Sequence, residues 1–335
     1  MLILRSLILG ILLLHLSHDT CGSEQIYFIK ATEDSQCASQ PCLTLNEFVH
    51  NTTKDVKASI ILQFGAGNHT LGTRWITTNI EKCSMLSNDN NSIIVCNKLA
   101  AGFTFENMSL VTLANLTFIG CGNDSRFNAV LHISQVIHAD VNMCIFLHSK
   151  GRVIEAARAN ITILSCMFEN SRAGVFMAAY DVTLFDRGSV YVSNNASTVR
   201  SSLLYFNASI ANFINSKFYK NLAEHATMVY VRGGGTLTLR QCELTRNNGE
   251  ALVTSYRSTV KIYDSKLTHN YAMYGILLIK IHATNMSINN GIFSHNNAQV
   301  RTTVLYIRES HVESFHMLII TSNTSLRLGD NTIYI

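Results

Sequence analysis

The chain of 335 residues holds a single proline, Pro41, and a single tryptophan. Average usage of about 5 % would give many more prolines. A β-ladder with a neighbour on each side cannot spare its N–H donors, so the proline-free stretch from Cys42 to Ile335 fits strands stacked within a sheet. Charge is scarce as well. Asp, Glu, Lys and Arg make up 14 % of the chain, against about 25 % in an ordinary soluble domain. A formal net charge of +4 is too mild to imply a nucleic-acid partner. After the first residues no run approaches the ~20 apolar residues of a membrane span, and a C-terminal anchor signal is missing. No Cys/His spacing matches a zinc site, so neither a metal nor a cofactor is expected.

What is present begins with a secretory address. Arg5 supplies a positive start, Leu7 to Leu16 an apolar run too short to span a bilayer, and Thr20-Cys21-Gly22 a small-residue cleavage site. A lipid-attachment role for Cys21 is set aside, because Asp19-Thr20 precedes it where a small apolar pair belongs. Cleavage after Gly22 leaves eight cysteines, an even number suited to an oxidising compartment. Eleven N-x-S/T sequons begin at Asn51, Asn68, Asn90, Asn107, Asn115, Asn123, Asn160, Asn195, Asn207, Asn285 and Asn323. Behind a signal peptide they point to an N-glycosylated, secreted, extracellular protein.

From Leu116 onward one motif recurs: a small residue, an aromatic or aliphatic residue two places on, then a polar turn. It reads Cys144-x-Phe146-x-x-Ser149, Cys166-x-Phe168-x-x-Ser171, Ser216-x-Phe218-x-x-Asn221, Cys242-x-Leu244-x-x-Asn247, Ser265-x-Leu267-x-x-Asn270 and Gly291-x-Phe293-x-x-Asn296. Phe118 and Val192 fill the same slot less cleanly, and the anchors step by 22 to 28 residues. A period in that range denotes a solenoid. Five residues before the anchor runs an apolar column: Val141, Ile163, Phe213, Leu239, Ile262 and Ile288. After the turn comes a further strand, as in Leu203-Leu-Tyr-Phe206 and Met228-Val-Tyr-Val231, with alternate places apolar. Each coil thus carries about three short strands, parallel to those of the next coil. An antiparallel sandwich would instead need hairpin turns every 8–12 residues.

On these repeats the chain resembles the right-handed parallel β-helix superfamily, the pectin-lyase-like fold. It is most similar to secreted animal members whose mature part opens with a segment such as Cys37-Ala-Ser-Gln-Pro-Cys42-Leu-Thr-Leu. The resemblance implies an all-β, right-handed parallel β-helix solenoid of nine to ten coils with a short N-terminal cap helix. Residues 1–22 are then the signal peptide, 23–100 the cap and first coils, and 101–335 the repeats. The turn column Asn221, Asn247, Asn270 and Asn296, extended by Asn323, is similar to that family's asparagine ladder, in which stacked amides hydrogen-bond from coil to coil.

A solenoid end needs a cap. Thr44-Leu-Asn-Glu47 is a capping box ahead of Phe48 and Val49, so a helix is expected there, with Ile60–Phe64 the first strand after it. No cap follows at Ile335, so either the sequence is a fragment or the last coil is open to a partner or a second copy. Cys37 with Cys42 and Cys83 with Cys96 are local disulfide candidates. Cys144 and Cys166 share one interior slot one coil apart, where the inter-strand spacing permits a bridge, and are read in preference as buried thiols; Cys121 and Cys242 have no evident mate.

Relatives that cleave acidic polysaccharides set carboxylates, or Arg and Lys with calcium, on the outer face of one strand column. Beside the Val141-to-Ile288 column only Asp140 is acidic, several coils from Arg240 and Lys261, and Asp181, Asp186 and Asp264 read as solvated turn residues. The expectation is a non-enzymatic module that binds extracellular glycans or matrix proteins, the alternative a polysaccharide lyase or glycoside hydrolase. Two outer columns suit such binding. The strand after the ladder gives Tyr205/Asn207, Tyr230/Arg232, Val253/Ser255, Leu278/Lys280 and Tyr306/Arg308, aromatic faces beside cations. The turn before the ladder gives His148, Lys220, Arg246, His269 and His295, of which the last four stack into a basic stripe ~15 Å long.

Overall fold

A computed structural model describes residues 24–31, 42–51, 59–88, 91–97, 102–122, 129–196, 202–223, 227–272, 277–298, 303–316, 318–321, 324–325 and 333–334. Every strand pairing among them is parallel, as between Leu204–Asn207 and Val229–Arg232 or between Lys217–Tyr219 and Glu243–Thr245. The chain is an all-β parallel solenoid of about 9 turns with one short helix near its N-terminus. One coil shows the plan. Strand a, Leu204–Asn207, leads to strand b, Ile210–Ile214, then to c, Lys217–Tyr219, and to the two-residue d, Leu222–Ala223. The a and b columns merge into one 21-stranded sheet; c and d form sheets of their own.

The corners between these strands are made by single residues in the left-handed region. In this coil they are Ala208, Asn215 and Lys220, with φ of 46°, 55° and 53°. One such residue turns the backbone sharply without a loop, at a cost that Asn and Asp bear most easily. The interior is a pile of equivalent side chains. Rings of Phe118, Phe146, Phe168, Tyr191 and Phe218 stack nearly parallel, with centroids 4.5–5.2 Å apart. The spacing is that of the strands themselves, so the parallel ladder sets the aromatic contact.

This pile corrects one register assignment. Tyr191, not Val192, occupies the anchor slot, opposite Phe168 and Phe218. The coil therefore obeys the motif cleanly as Ser189-x-Tyr191-x-x-Asn194. A second correction follows. Five residues before Tyr191 stands Asp186, in register between Ile163 and Phe213 of the apolar column. It is fully buried, not a solvated turn residue. Its Oδ2 accepts the Tyr191 hydroxyl at 2.9 Å and its Oδ1 accepts the Ser216 hydroxyl. Burial raises its carboxyl to about 6, against hydrogen bonds from Ser216, Ser189 and Tyr191 that favour the charge. Asp181 lies exposed at a left-handed corner with φ 50°, on the other side of the wall.

The turn asparagines form one buried hydrogen-bonded column. Each Oδ1 of Asn221, Asn247, Asn270 and Asn296 accepts both the backbone N–H and the Nδ2–H of the asparagine one coil before, at 2.9–3.1 Å. Each Nδ2 also donates to an anchor carbonyl, Phe218 O in the case of Asn247. Asn194 begins the column, a member the sequence reading omitted for the same reason that it misplaced Tyr191. Asn323 lies outside the described residues.

At the N-terminal end the helix Leu45–Asn51 starts on the capping box: Thr44 N–H donates to Glu47 Oε2 at 2.6 Å and Glu47 N–H to Thr44 Oγ1 at 3.3 Å. The Thr44 N–H, with the Thr44 hydroxyl donating to the same oxygen, holds the Glu47 carboxyl below its ordinary range. Phe48 packs edge-on against Tyr27 and Trp75 at 5.0 and 5.2 Å, sealing the first coil. The strand Gln25–Lys30, absent from the sequence reading, pairs with both Cys42–Thr44 and Ile60–Phe64 and extends this cap. The disulfide expectation is partly overturned. Cys96 bonds to Cys121, in the next coil, while Cys83 is a buried free thiol. Cys83 points inward from its strand, with Cα partners Ile60 and Val111, and so cannot meet Cys96. Cys42 is disulfide-bonded; Cys37 lies outside the described residues. Cys144, Cys166 and Cys242 are buried free thiols.

Candidate functional site

The outer face of the a column carries the densest set of polar and aromatic groups. In register along it lie Thr104, His132, Glu155, Met177, Tyr205, Tyr230, Thr254, Lys280 and Tyr306. Two residues further along each strand run Asn207, Arg232, Tyr256, His282 and Arg308. The sequence reading has the rungs in register at Tyr205/Asn207, Tyr230/Arg232 and Tyr306/Arg308 and misplaces the two coils between them. Val253 and Ser255 point into the core, so Thr254 and Tyr256 face outward instead. Lys280 takes the place of Tyr230, and His282 that of Arg232.

The Tyr205 and Tyr230 rings stack at 5.7 Å, and the Arg232 guanidinium lies over Tyr205 at 5.4 Å. Burial pushes the Tyr205 phenol up, opposed by Arg232. Tyr256 stacks obliquely on His282 at 5.2 Å, and His282 Nε2 is 3.8 Å from Glu309. Thr254 Oγ1 and His282 Nδ1 are buried and without a hydrogen-bond partner among the described residues. The strip therefore lines up aromatic rings and cations along one face, which suits a sugar chain with anionic substituents.

At its N-terminal end the same face holds a charged group that the sequence reading missed. His132 Nε2 stands 3.9 Å from Glu106 on one side, and its Cα partner on the other side is Glu155. Glu155 is 9 % exposed. Burial raises its carboxyl above the ordinary range, against the pull of His132, Arg152 and Arg74. Arg74 reaches across two coils, donating to Thr104 Oγ1 at 3.2 Å and to Ala129 O at 2.6 Å. Arg152 donates to Met177 Sδ at 2.9 Å. Burial lowers both guanidiniums and Glu155 raises them. The Nε of each is buried and has no partner among the described residues.

Two carboxylates two rungs apart, ~10 Å along the axis, with an imidazole between them, are thus available on the a face. On the b face Glu313 accepts the Ser287 hydroxyl at 2.9 Å. Asp140 sits beside Thr162 with its carboxyl raised by burial, while Arg240 lies over Tyr263 at 5.5 Å. Glu155 was visible in the sequence as the third residue of Val153-Ile-Glu-Ala156, an outward place by alternation. Among the described residues no three His, Cys, Asp or Glu side chains converge as metal ligands.

The basic column lies elsewhere, at the corner between the c and d strands. His148, Lys220, Arg246, His269 and His295 all adopt positive φ, 51–56°, and all are exposed. Asn170 and Ser193 occupy the corresponding corner between His148 and Lys220, so the continuous stripe starts at Lys220. Of the sequon asparagines, Asn51, Asn68, Asn107, Asn160, Asn195 and Asn285 are exposed. Asn115 and Asn207 are half-buried, their amides donating to Ser87 O and Ala179 O at 3.1 and 2.8 Å. Asn90, Asn123 and Asn323 lie outside the described residues. No helix among the described residues is long and apolar enough to cross a membrane.

No curated protein sequence matches the chain. Among solved structures, the PL6 family alginate lyase AlyGC is similar at 6 % identity and a TM-score of 0.43, over 93 % of this chain and 53 % of its own. The chain thus spans about half that lyase's length. PfbA, a surface adhesin of Streptococcus pneumoniae, is similar at 10 % identity and a TM-score of 0.35, over 79 % and 82 %. The catalytic domain of a GH87 alpha-1,3-glucanase gives 11 % and 0.43, over 92 % and 68 %. At such identities no activity carries over from any of them. Residues 201–335 match the family described as right handed beta helix region, and the coils set out above form a right-handed parallel β-solenoid.

Proposed function

We propose that this is a secreted, N-glycosylated carbohydrate-binding β-helix whose outer a face holds an acidic glycan along the solenoid axis. The observation that carries the reading is the Tyr205–Tyr230 stack with Arg232 over it, continued in register by Tyr256, Lys280 and Arg308. Successive rungs repeat at ~4.8 Å, comparable to the length of one pyranose unit in an extended chain. Tyrosine faces suit the apolar faces of the sugars, and the cations suit carboxylates or sulfates. Extracellular glycans and matrix proteins that bear them are the partners this surface fits. Titration of the purified chain with acidic oligosaccharides tests it. Tyr230→Ala and Arg232→Ala should each weaken binding about tenfold, close to 1.4 kcal/mol. Unchanged affinity in both would refute the reading.

A second reading, a polysaccharide lyase or hydrolase, is favoured by the Glu106–His132–Glu155 group alone. A carboxyl raised by burial beside an imidazole is what general acid–base chemistry requires. New reducing ends or unsaturated products from an acidic polysaccharide, abolished in Glu155→Gln, would establish it. Binding without turnover would leave the first reading standing.

A further inference from the structure

Four consecutive coils expose a positively charged or N–H-donating side chain at one and the same corner, Lys220, Arg246, His269 and His295. The positive φ shared by these residues, 53–56°, gives their side chains a common direction. They are also ordered on the surface. Arg246 Nη1 donates to the Tyr219 hydroxyl at 3.0 Å, and the Lys220 ammonium lies over the Tyr219 ring at 5.0 Å. The His269 and His295 rings stack at 4.8 Å, within 5° of parallel. Two permanent cations thus continue into two imidazoles, each of which offers an N–H donor in either protonation state.

The strands flanking the corner add neutral hydrogen-bonding groups. On the c side lie Thr245 and Thr268, whose hydroxyls are 3.1 Å apart. On the c strand the acid Glu243 lies in register between Lys217 and Lys266. No sequon begins between Asn207 and Asn285, so the coils of Arg246 and His269 carry none, while the exposed sequon asparagine Asn195 is bridged to Leu222 beside the start of the stripe.

We propose that this corner is a second binding edge, separate from the a face, for a linear polyanion carrying sulfate or carboxylate on successive sugar units. Charge complementarity selects the partner: a row of donors at coil spacing meets a row of anions at sugar spacing. The inference does not rest on the a-face reading, since it uses a different sheet and different residues.

Immobilised heparin (sulfated), polyguluronate (carboxylated) and duplex DNA serve as probes for the full chain at several salt concentrations. Asparagine tolerates positive φ, so Lys220→Asn with Arg246→Asn removes charge while keeping the corner. Expected is salt-sensitive binding of the sulfated or the carboxylated glycan, weakened at least tenfold in that double variant with an unchanged melting temperature. The two glycan arms tell which anion is read. In a Tyr230→Ala/Arg232→Ala background, which disables the a face, the remaining glycan binding should still fall at least tenfold on adding the corner substitutions, which separates the corner from the a face. The proposal is overturned by no binding to either glycan, by affinity indifferent to the corner substitutions, or by DNA bound as tightly as the glycans.

Discussion

Asp186→Asn should make this protein more stable at neutral pH. The carboxyl sits in an apolar column inside the solenoid, hydrogen-bonded to Tyr191 and Ser216. Burial lifts it from the ordinary 3.8 to about 6. The native state therefore binds this proton more tightly than the unfolded chain does. The resulting contribution is full below the unfolded value, declines as pH rises between the two, and is lost above about 6. At about 1.4 kcal/mol per pH unit, that interval amounts to roughly 3 kcal/mol. Asparagine removes the charge yet keeps an acceptor for Tyr191, and the Ser216 hydroxyl can turn to accept from the new amide. For a chain of this length roughly 3 kcal/mol is about 4 °C in melting temperature. Thermal melts of both forms at pH 7.5 and pH 4 provide the assay. The variant should melt about 4 °C higher at pH 7.5 and within a degree at pH 4. An equal offset at both values, or a loss at pH 7.5, would show that buried charge is not what matters here.

Other outcomes follow from the same coordinates. Asn247→Leu removes the acceptor that Asn247 Oδ1 gives to the N–H and the Nδ2–H of Asn221; at about 1–3 kcal/mol per orphaned group, it should cost several kcal/mol, and Asn270→Leu should behave alike. Melting temperatures that do not move would refute the ladder. Cys96→Ser opens a loop with a sequence separation of 25, about 3.5 kcal/mol by the chain-entropy relation, and peptide mapping of the unreduced protein should recover Cys96 joined to Cys121 with Cys83 free. A Cys83–Cys96 peptide would contradict the structure. Glu47→Ala removes half of the capping box and should cost about 1 kcal/mol, seen as faster hydrogen exchange in Leu45–Asn51; unaltered exchange there would argue against the box as the helix anchor.

How much of this was legible in the sequence depends on how strongly each residue is tied to the repeat. The c-strand anchors and the ladder asparagines were readable because a buried slot accepts few residue types, so small-x-aromatic-x-x-Asn recurs. The capping box was readable because its chemistry is local. The Tyr191 coil was misassigned because valine and tyrosine alternate there, and a step of one residue inverts inside and outside. That single slip hid both Asn194 and the burial of Asp186. The a face was harder to read. Segments of varying length separate its strands from the preceding ladder turn, so counting from the anchor drifts, as it did at Thr254, Tyr256 and His282. Outer residues also obey no packing rule. The Arg74–Glu155 group comes from four coils, and nothing local in the chain announces that Arg74 reaches Ala129. The Cys96–Cys121 bond escaped for a similar reason: it joins one coil to the next, a distance set by the solenoid and not by nearness in sequence.

The claim that matters most is that a sugar chain lies across Tyr205, Tyr230 and Arg232. Saturation-transfer NMR on an acidic oligosaccharide, with the wild-type chain and with Tyr205→Ala/Tyr230→Ala, addresses it most directly. Transfer to the ring protons of several consecutive sugars, lost in the double variant while the fold persists, is the predicted result. Equal transfer to both proteins, or none to the wild type, would contradict it.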